Sequence, residues 1–113
     1  MAQRLNLQIC PYRSDMAPSI IALVKHVLGE GPATRKSMDF WHWKHHENPF
    51  GTSYGLYAWD DEKNAIAGLR MLMRWGFTSP QGETIQAVRA VDTATHPAYQ
   101  RRGIFSTLTR TAI

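Results

Sequence analysis

The sequence has one cysteine, Cys10, and no apolar run long enough to cross a bilayer. A lone cysteine cannot close an internal disulfide, so the fold must be held by its core. The opening residues Met1-Ala2-Gln3-Arg4-Leu5 lack the apolar stretch of a secretory signal. These absences point to a reducing cytoplasm. Linkers, low-complexity tracts and internal repeats are missing too, so the 113 residues are read as a single domain, 1–113. Acidic residues are the minority, nine against thirteen Lys and Arg, and the net charge of +4 suits an anionic partner. Charge alone does not choose between a phosphorylated cofactor, a nucleic acid and an acidic surface.

What is present is a globular composition, 43% hydrophobic and 19% charged, which excludes a disordered chain. Residues 4–10 alternate, with Leu5, Leu7 and Ile9 on one face and Asn6 and Gln8 on the other, the period of a half-buried strand. After Pro11, Ser14 or Asp15 is placed to cap a helix whose stripe is Ile20, Leu23, Val24, Val27 and Leu28. Gly29, Gly31 and Pro32 stop it. A second helix is expected from about Ser37, holding Phe40, Trp41 and Trp43, and it closes at Asn48-Pro49-Phe50-Gly51. Strands follow over residues 54–59, 65–77 and 85–95. In the middle one Ala65, Ala67, Leu69, Met71, Met73, Trp75 and Phe77 share one parity, with Arg70 and Arg74 on the other. Their connections are short, so the three form an antiparallel meander. His96-Pro97 breaks the last strand, and a helix is expected from about Tyr99 to Ile113.

The chemistry concentrates at the join between that last strand and helix. A loop running into a helix N-terminus leaves several N–H groups unpaired and pointing one way, and the helix dipole adds positive charge there. Such a place binds phosphate. Gly103 removes a Cβ where backbone must approach the ligand, and Arg101 and Arg102 bring cations to the entrance.

The run His96-Pro97-Ala98-Tyr99-Gln100-Arg101-Arg102-Gly103-Ile104 resembles motif A of the GNAT superfamily of N-acetyltransferases. The core of that motif is Gln/Arg-x-x-Gly-x-Gly/Ala at the start of the third helix. The segments Phe40-Trp41-x-Trp43-Lys44 and Asn48-Pro49-x-Gly51 also resemble a group of GNAT-related proteins. The resemblance implies an α/β (α+β) fold, with a mixed, mainly antiparallel sheet and helices on both faces, in the order β-α-α-β-β-β-α. It implies acetyl-CoA as acyl donor and an amine as acceptor. By position, Thr93, Ala94 and Thr95 would bond the pantetheine arm. The amides of Gln100, Arg101, Arg102, Gly103, Ile104 and Phe105 would hold the diphosphate, with Ser106 in reach. Phe105 stands where Gly or Ala is usual, so its ring must point away from the cofactor.

Asp92, at the end of the strand, is the nearest candidate base, although a carboxylate that is solvated or paired with Arg89 is the plainer reading. The family's usual acid, a tyrosine on a later helix, would fall beyond Ile113, and Tyr99 does not match its position. The resemblance covers only the N-terminal half of the family's fold. The chain is therefore read as a truncated domain whose open sheet edge favours a homo-oligomer. The alternative to an acetyltransferase is a non-catalytic acyl-CoA-binding or interaction module.

Two other readings weigh less. His42 and His46 lie four apart on one helical face near Asp39 and Glu47, a spacing that can hold zinc. The His-Glu-x-x-His order is absent, and no metal is expected. The Trp and Met series could stack nucleic-acid bases, but a core explains their spacing more simply. Membrane partners are not expected.

Overall fold

The computed structural model describes residues 7–29 and 37–112. Its elements are β1 (Leu7–Pro11), α1 (Ala17–Leu28), α2 (Met38–His45), β2 (Tyr54–Asp60), β3 (Ala65–Thr78), β4 (Thr84–Thr95) and α3 (Ile104–Ala112). The order is the expected β-α-α-β-β-β-α. One antiparallel sheet runs β1-β2-β3-β4. Leu5, the stop signals Gly31 and Pro32, and Ile113 lie outside the described residues. No helix among the described residues is long and apolar enough to cross a membrane.

Successive strand residues face opposite sides, and each side finds a different partner. Tyr57, Leu69 and Met71 pack under Ile20, Leu23 and Val24 of α1 and Trp41 of α2. Leu56, Ala58 and Ala67 pack under Tyr99 and under Ile104 and Leu108 of α3. The helices thus cover both faces. Of the stripe expected in α1, Ile20, Leu23 and Val24 are buried and Val27 packs against them, but Leu28 at its end is 46% exposed.

Local details depart from the pattern read in the sequence. A 3₁₀ turn at Ser14–Met16 leads into α1, and neither Ser14 nor Asp15 makes a side-chain cap. At α2 the expected start holds, with Ser37 Oγ accepting from the Phe40 amide at 3.1 Å. The single parity of β3 fails at its beginning. Ala58 pairs with Gly68 but Trp59 with Ile66, so β3 carries an extra residue and Ala67 turns to the α3 face while Leu69 and Met71 face α1. Trp43, assigned to the core by spacing, is exposed, and so are Trp75 and Phe77 at the far end of β3. There β3 and β4 run on past the start of β2, and Phe40 and Trp43 of α2 flank Met73 and Trp75 without covering them.

A second irregularity sits in β4. Leu69 pairs with Ala94 and Met71 with Val91, so two steps of β3 face three of β4. Asp92 lies at this bulge with φ +49°, a left-handed conformation that Asp tolerates better than most residues. The bulge puts Asp92 on the α2 side while Thr93 faces the α3 side, within reach of Arg70.

Candidate functional site

β4 ends where the His96 amide donates to the Ala67 carbonyl (2.8 Å). His96 Nδ1 then accepts from the Ala98 amide, and residues 97–99 make a single 3₁₀ turn. Tyr99 drops into the α3-side core, and its hydroxyl donates a short hydrogen bond to Asp60. That bond, with burial, pushes the Tyr99 phenol up to about 12. The tyrosine is thus a clamp that fixes the loop to β2, and it stays protonated at neutral pH.

The loop from Gln100 to Gly103 is not helical, so α3 starts later than expected. Arg101 and Gly103 both take positive φ, +65° and +79°. The first bond into α3 runs from the Thr107 amide to the Gly103 carbonyl at 2.9 Å. Among the described residues the amides of Arg101 and of residues 103–106 have no acceptor in the protein, while Gln100 and Arg101 lie inside a turn that closes on Arg102. A Cβ built on Gly103 would meet nothing within 4 Å, so it would stand in open space.

This loop borders an open cleft of about 530 Å³. Thr93, Ala94 and Thr95 form one wall, Gln100, Arg101 and Gly103 the end, and Ile104, Phe105 and Ser106 the opposite wall, with Val27 of α1 at the rim. Nine of the ten residues expected to hold a cofactor therefore meet around one space. Arg102 does not line it and is exposed. The Gln100 side chain donates to the Thr95 carbonyl (3.2 Å), bracing loop against strand. Among the described residues no strand pairs with the outer edge of β4. The Phe105 ring, half exposed, lies against the Arg70 guanidinium, 4.8 Å from its central carbon to the ring centroid. Arg70 in turn donates to the Thr93 hydroxyl (3.2 Å). The bulky residue is thus accommodated at the rim by a cation–π contact.

Asp92 is not a free base. Lys44 Nζ and His45 Nε2 both donate to its Oδ2, at 2.8 and 2.9 Å. Burial would raise the carboxyl pKa, but the bonds from His45 and Lys44 outweigh it and bring it to about 2. The chain of contacts continues from His45 Nδ1 to Ser53 Oγ (2.7 Å), with the imidazole fully buried. A Ser-His-Asp series in this setting is sealed from substrate, and its effect is to tie α2 and the start of β2 to the bulge. Sequence reading gave Lys44, His45 and Ser53 no role at Asp92. The one available signal was that His45 follows buried Trp41 by four residues, which puts both on the inner face of α2.

His42 and His46 stack at 5.2 Å between centroids. His42 pairs with Glu47 (3.2 Å) and His46 Nε2 meets the Tyr12 hydroxyl (2.8 Å), so both rings are already engaged. Among the described residues no group of three or more His, Cys, Asp or Glu is placed to hold a metal.

No family model matches the chain, and no curated protein sequence does. Solved structures do. An acetyltransferase of Trypanosoma brucei superposes with a TM-score of 0.63 at 14% identity, over 95% of this chain and 72% of its own. A Clostridium acetobutylicum protein, described as a predicted acetyltransferase and solved with acetyl-CoA, gives 0.71 at 13%, over 94% and 70%. An aminoglycoside acetyltransferase from an uncultured soil metagenomic sample gives 0.65 at 18%, over 93% and 66%. Likeness at such low identity speaks for architecture, and it agrees with the element order and the strand–loop–helix join described above. The described residues carry the GNAT acetyltransferase fold.

Proposed function

We propose that the chain binds acyl-CoA in the cleft beside β4 and that its activity is transfer of an acetyl group to an amine. One observation carries this reading. Unpaired amides at Arg101 and at residues 103–106, a left-handed Gly103 and the open edge of Thr93, Ala94 and Thr95 all border a single cleft. The amides and the dipole of α3 would hold the diphosphate, with Arg101 at the entrance and Arg102 adding long-range charge. Thr93, Ala94 and Thr95 would bond the extended arm. When bound, acetyl-CoA would supply an acyl thioester for attack by a neutral amine, and a strand N–H would polarise its carbonyl. A solitary Cys10, free of any disulfide, supports a cytoplasmic setting.

The engagement of Asp92 favours a second reading, a non-catalytic acyl-CoA-binding module. A carboxyl held near a pKa of 2 takes up protons poorly at neutral pH. In an active enzyme, water would have to carry the amine proton away. Release of free thiol from acetyl-CoA over a panel of amines separates the readings: turnover supports the transferase, and binding without turnover supports the module. Calorimetry tests what they share. Gly103→Val, which forces a β-branched residue into φ +79°, is expected to weaken acetyl-CoA at least about tenfold. Unchanged affinity would remove the diphosphate site from the account.

A further inference from the structure

A second cleft, of about 380 Å³, lies between α2, the turn at residues 48–50 and the far part of β3. Its walls are two tilted ring pairs, Phe40 with Trp43 (centroids 5.8 Å apart) and Phe50 with Trp75 (5.6 Å), beside Met73. Trp43, Phe50 and Trp75 are 63%, 48% and 40% exposed. A small domain gains most of its apolar burial from such rings, so leaving three of them open forgoes stability.

Local bonds hold these walls apart. The Asn48 side chain donates to the Arg74 carbonyl (2.8 Å) and accepts from the Phe50 amide (3.0 Å). The Phe50 ring rests on bare backbone at Gly76, where a Cβ would come within 2.7 Å of it. The cleft is therefore preformed, and its size falls in the range of small-molecule sites, roughly 300–1,000 Å³.

Its chemistry selects the occupant. Asn48 is bonded as described, and Lys44 Nζ is on Asp92. Few polar atoms remain for a hydroxyl-rich or polycationic ligand, whereas four ring faces suit a flat apolar body and attract a nearby ammonium. Lys44 lines this cleft, and its partner Asp92 sits at the β4 bulge directly before Thr93 of the first one. A pantetheine arm lying along Thr95 and Thr93, with its diphosphate at α3, would end at the bulge beside Lys44.

We propose that the aromatic cleft is the acceptor site, and that it takes a primary amine borne on an aromatic or bulky apolar group. This rests on the acyl-transfer reading above. In the transfer, the amine nitrogen bonds the acyl carbon and the carbon–sulfur bond breaks. The nitrogen gives up one proton to water, and the thiolate leaves to be protonated.

The probe is 2-phenylethylamine, titrated with and without acetyl-CoA by calorimetry and tryptophan fluorescence. An aminoglycoside and a linear polyamine serve as polar controls. The aromatic amine is expected to bind, and the polar controls to bind at least about tenfold more weakly. Trp43→Ala and Trp75→Ala, both at exposed rings, should each weaken 2-phenylethylamine about tenfold and leave acetyl-CoA affinity within about twofold. Absence of binding, equal binding of the controls, or affinity unchanged in both variants overturns the proposal. A second copy of the chain filling the cleft would show as a dimer lost in Trp75→Ala with no amine binding, which also overturns it. If acetyl-CoA alone fails to bind while 2-phenylethylamine still depends on the two tryptophans, the transfer reading falls and the aromatic-amine site stands.

Discussion

Asp92 meets three requirements at once: a left-handed backbone, an anion for Lys44 and His45, and the turning point of the β4 bulge. Its carboxyl pKa falls from 3.8 to about 2 on folding. Such a shift contributes about 2 kcal/mol of stability. Because the folded value is the lower one, that contribution is present above pH 4 and is lost as pH falls from about 4 to about 2. Asp92→Asn is expected to cost about 2 kcal/mol in urea unfolding at pH 7 and to flatten the acid limb between those values. Equal stability of variant and parent across that range would deny the anchoring role. Asp92 was visible in the sequence as a strand-end carboxylate, but its anchoring was not. Its partners lie 47 and 48 residues away, and a bulge leaves no mark in a run such as Arg89-Ala90-Val91-Asp92-Thr93.

At the scale of elements, glycines decide how closely the layers approach. A Cβ on Gly68 would stand 2.8 Å from Ile104 Cγ2, so α3 packs directly on β3 backbone. Gly68→Ala should push α3 outward, lower stability by about 1–3 kcal/mol in thermal unfolding and weaken acetyl-CoA, since Ile104 lines the cleft. A variant as stable as the parent, with equal affinity, would mean that the helix position is not set there. The periodic elements were legible because burial imposes the period: α1 keeps its stripe as far as Val27, and Ser37 starts α2 as a capping residue should. β3 was half legible. Alternation was read through residues 65–77 as one face, yet the extra residue at Ala67 changes the face, and the rings of the outer third stay exposed, with α2 flanking rather than covering them. Nothing in Trp75 or Phe77 alone tells a core ring from an exposed one. The join between β4 and α3 was legible as a strand break, a loop and a helix start because its constraint is local: a His-Pro break, a Gly at positive φ and the helix start follow one another in the chain.

Over the whole molecule, the sheet has β4 at one side with an open outer edge among the described residues. Unpaired edges invite pairing, and we expect self-association through β4, read by static light scattering at micromolar concentration as a dimer. A well-folded monomer at that concentration would contradict it. Acetyl-CoA would compete for the same edge at Thr93–Thr95, so its addition should shift that equilibrium towards monomer. The central claim is narrower and can be tested without any acceptor. Backbone amide shifts are followed by nuclear magnetic resonance as acetyl-CoA is added to the ¹⁵N-labelled chain. The account predicts the largest changes at the amides of residues 101–106, with a second group at 93–95 and little at 75–88. Saturation with those amides unmoved, or with the changes centred elsewhere, would contradict it.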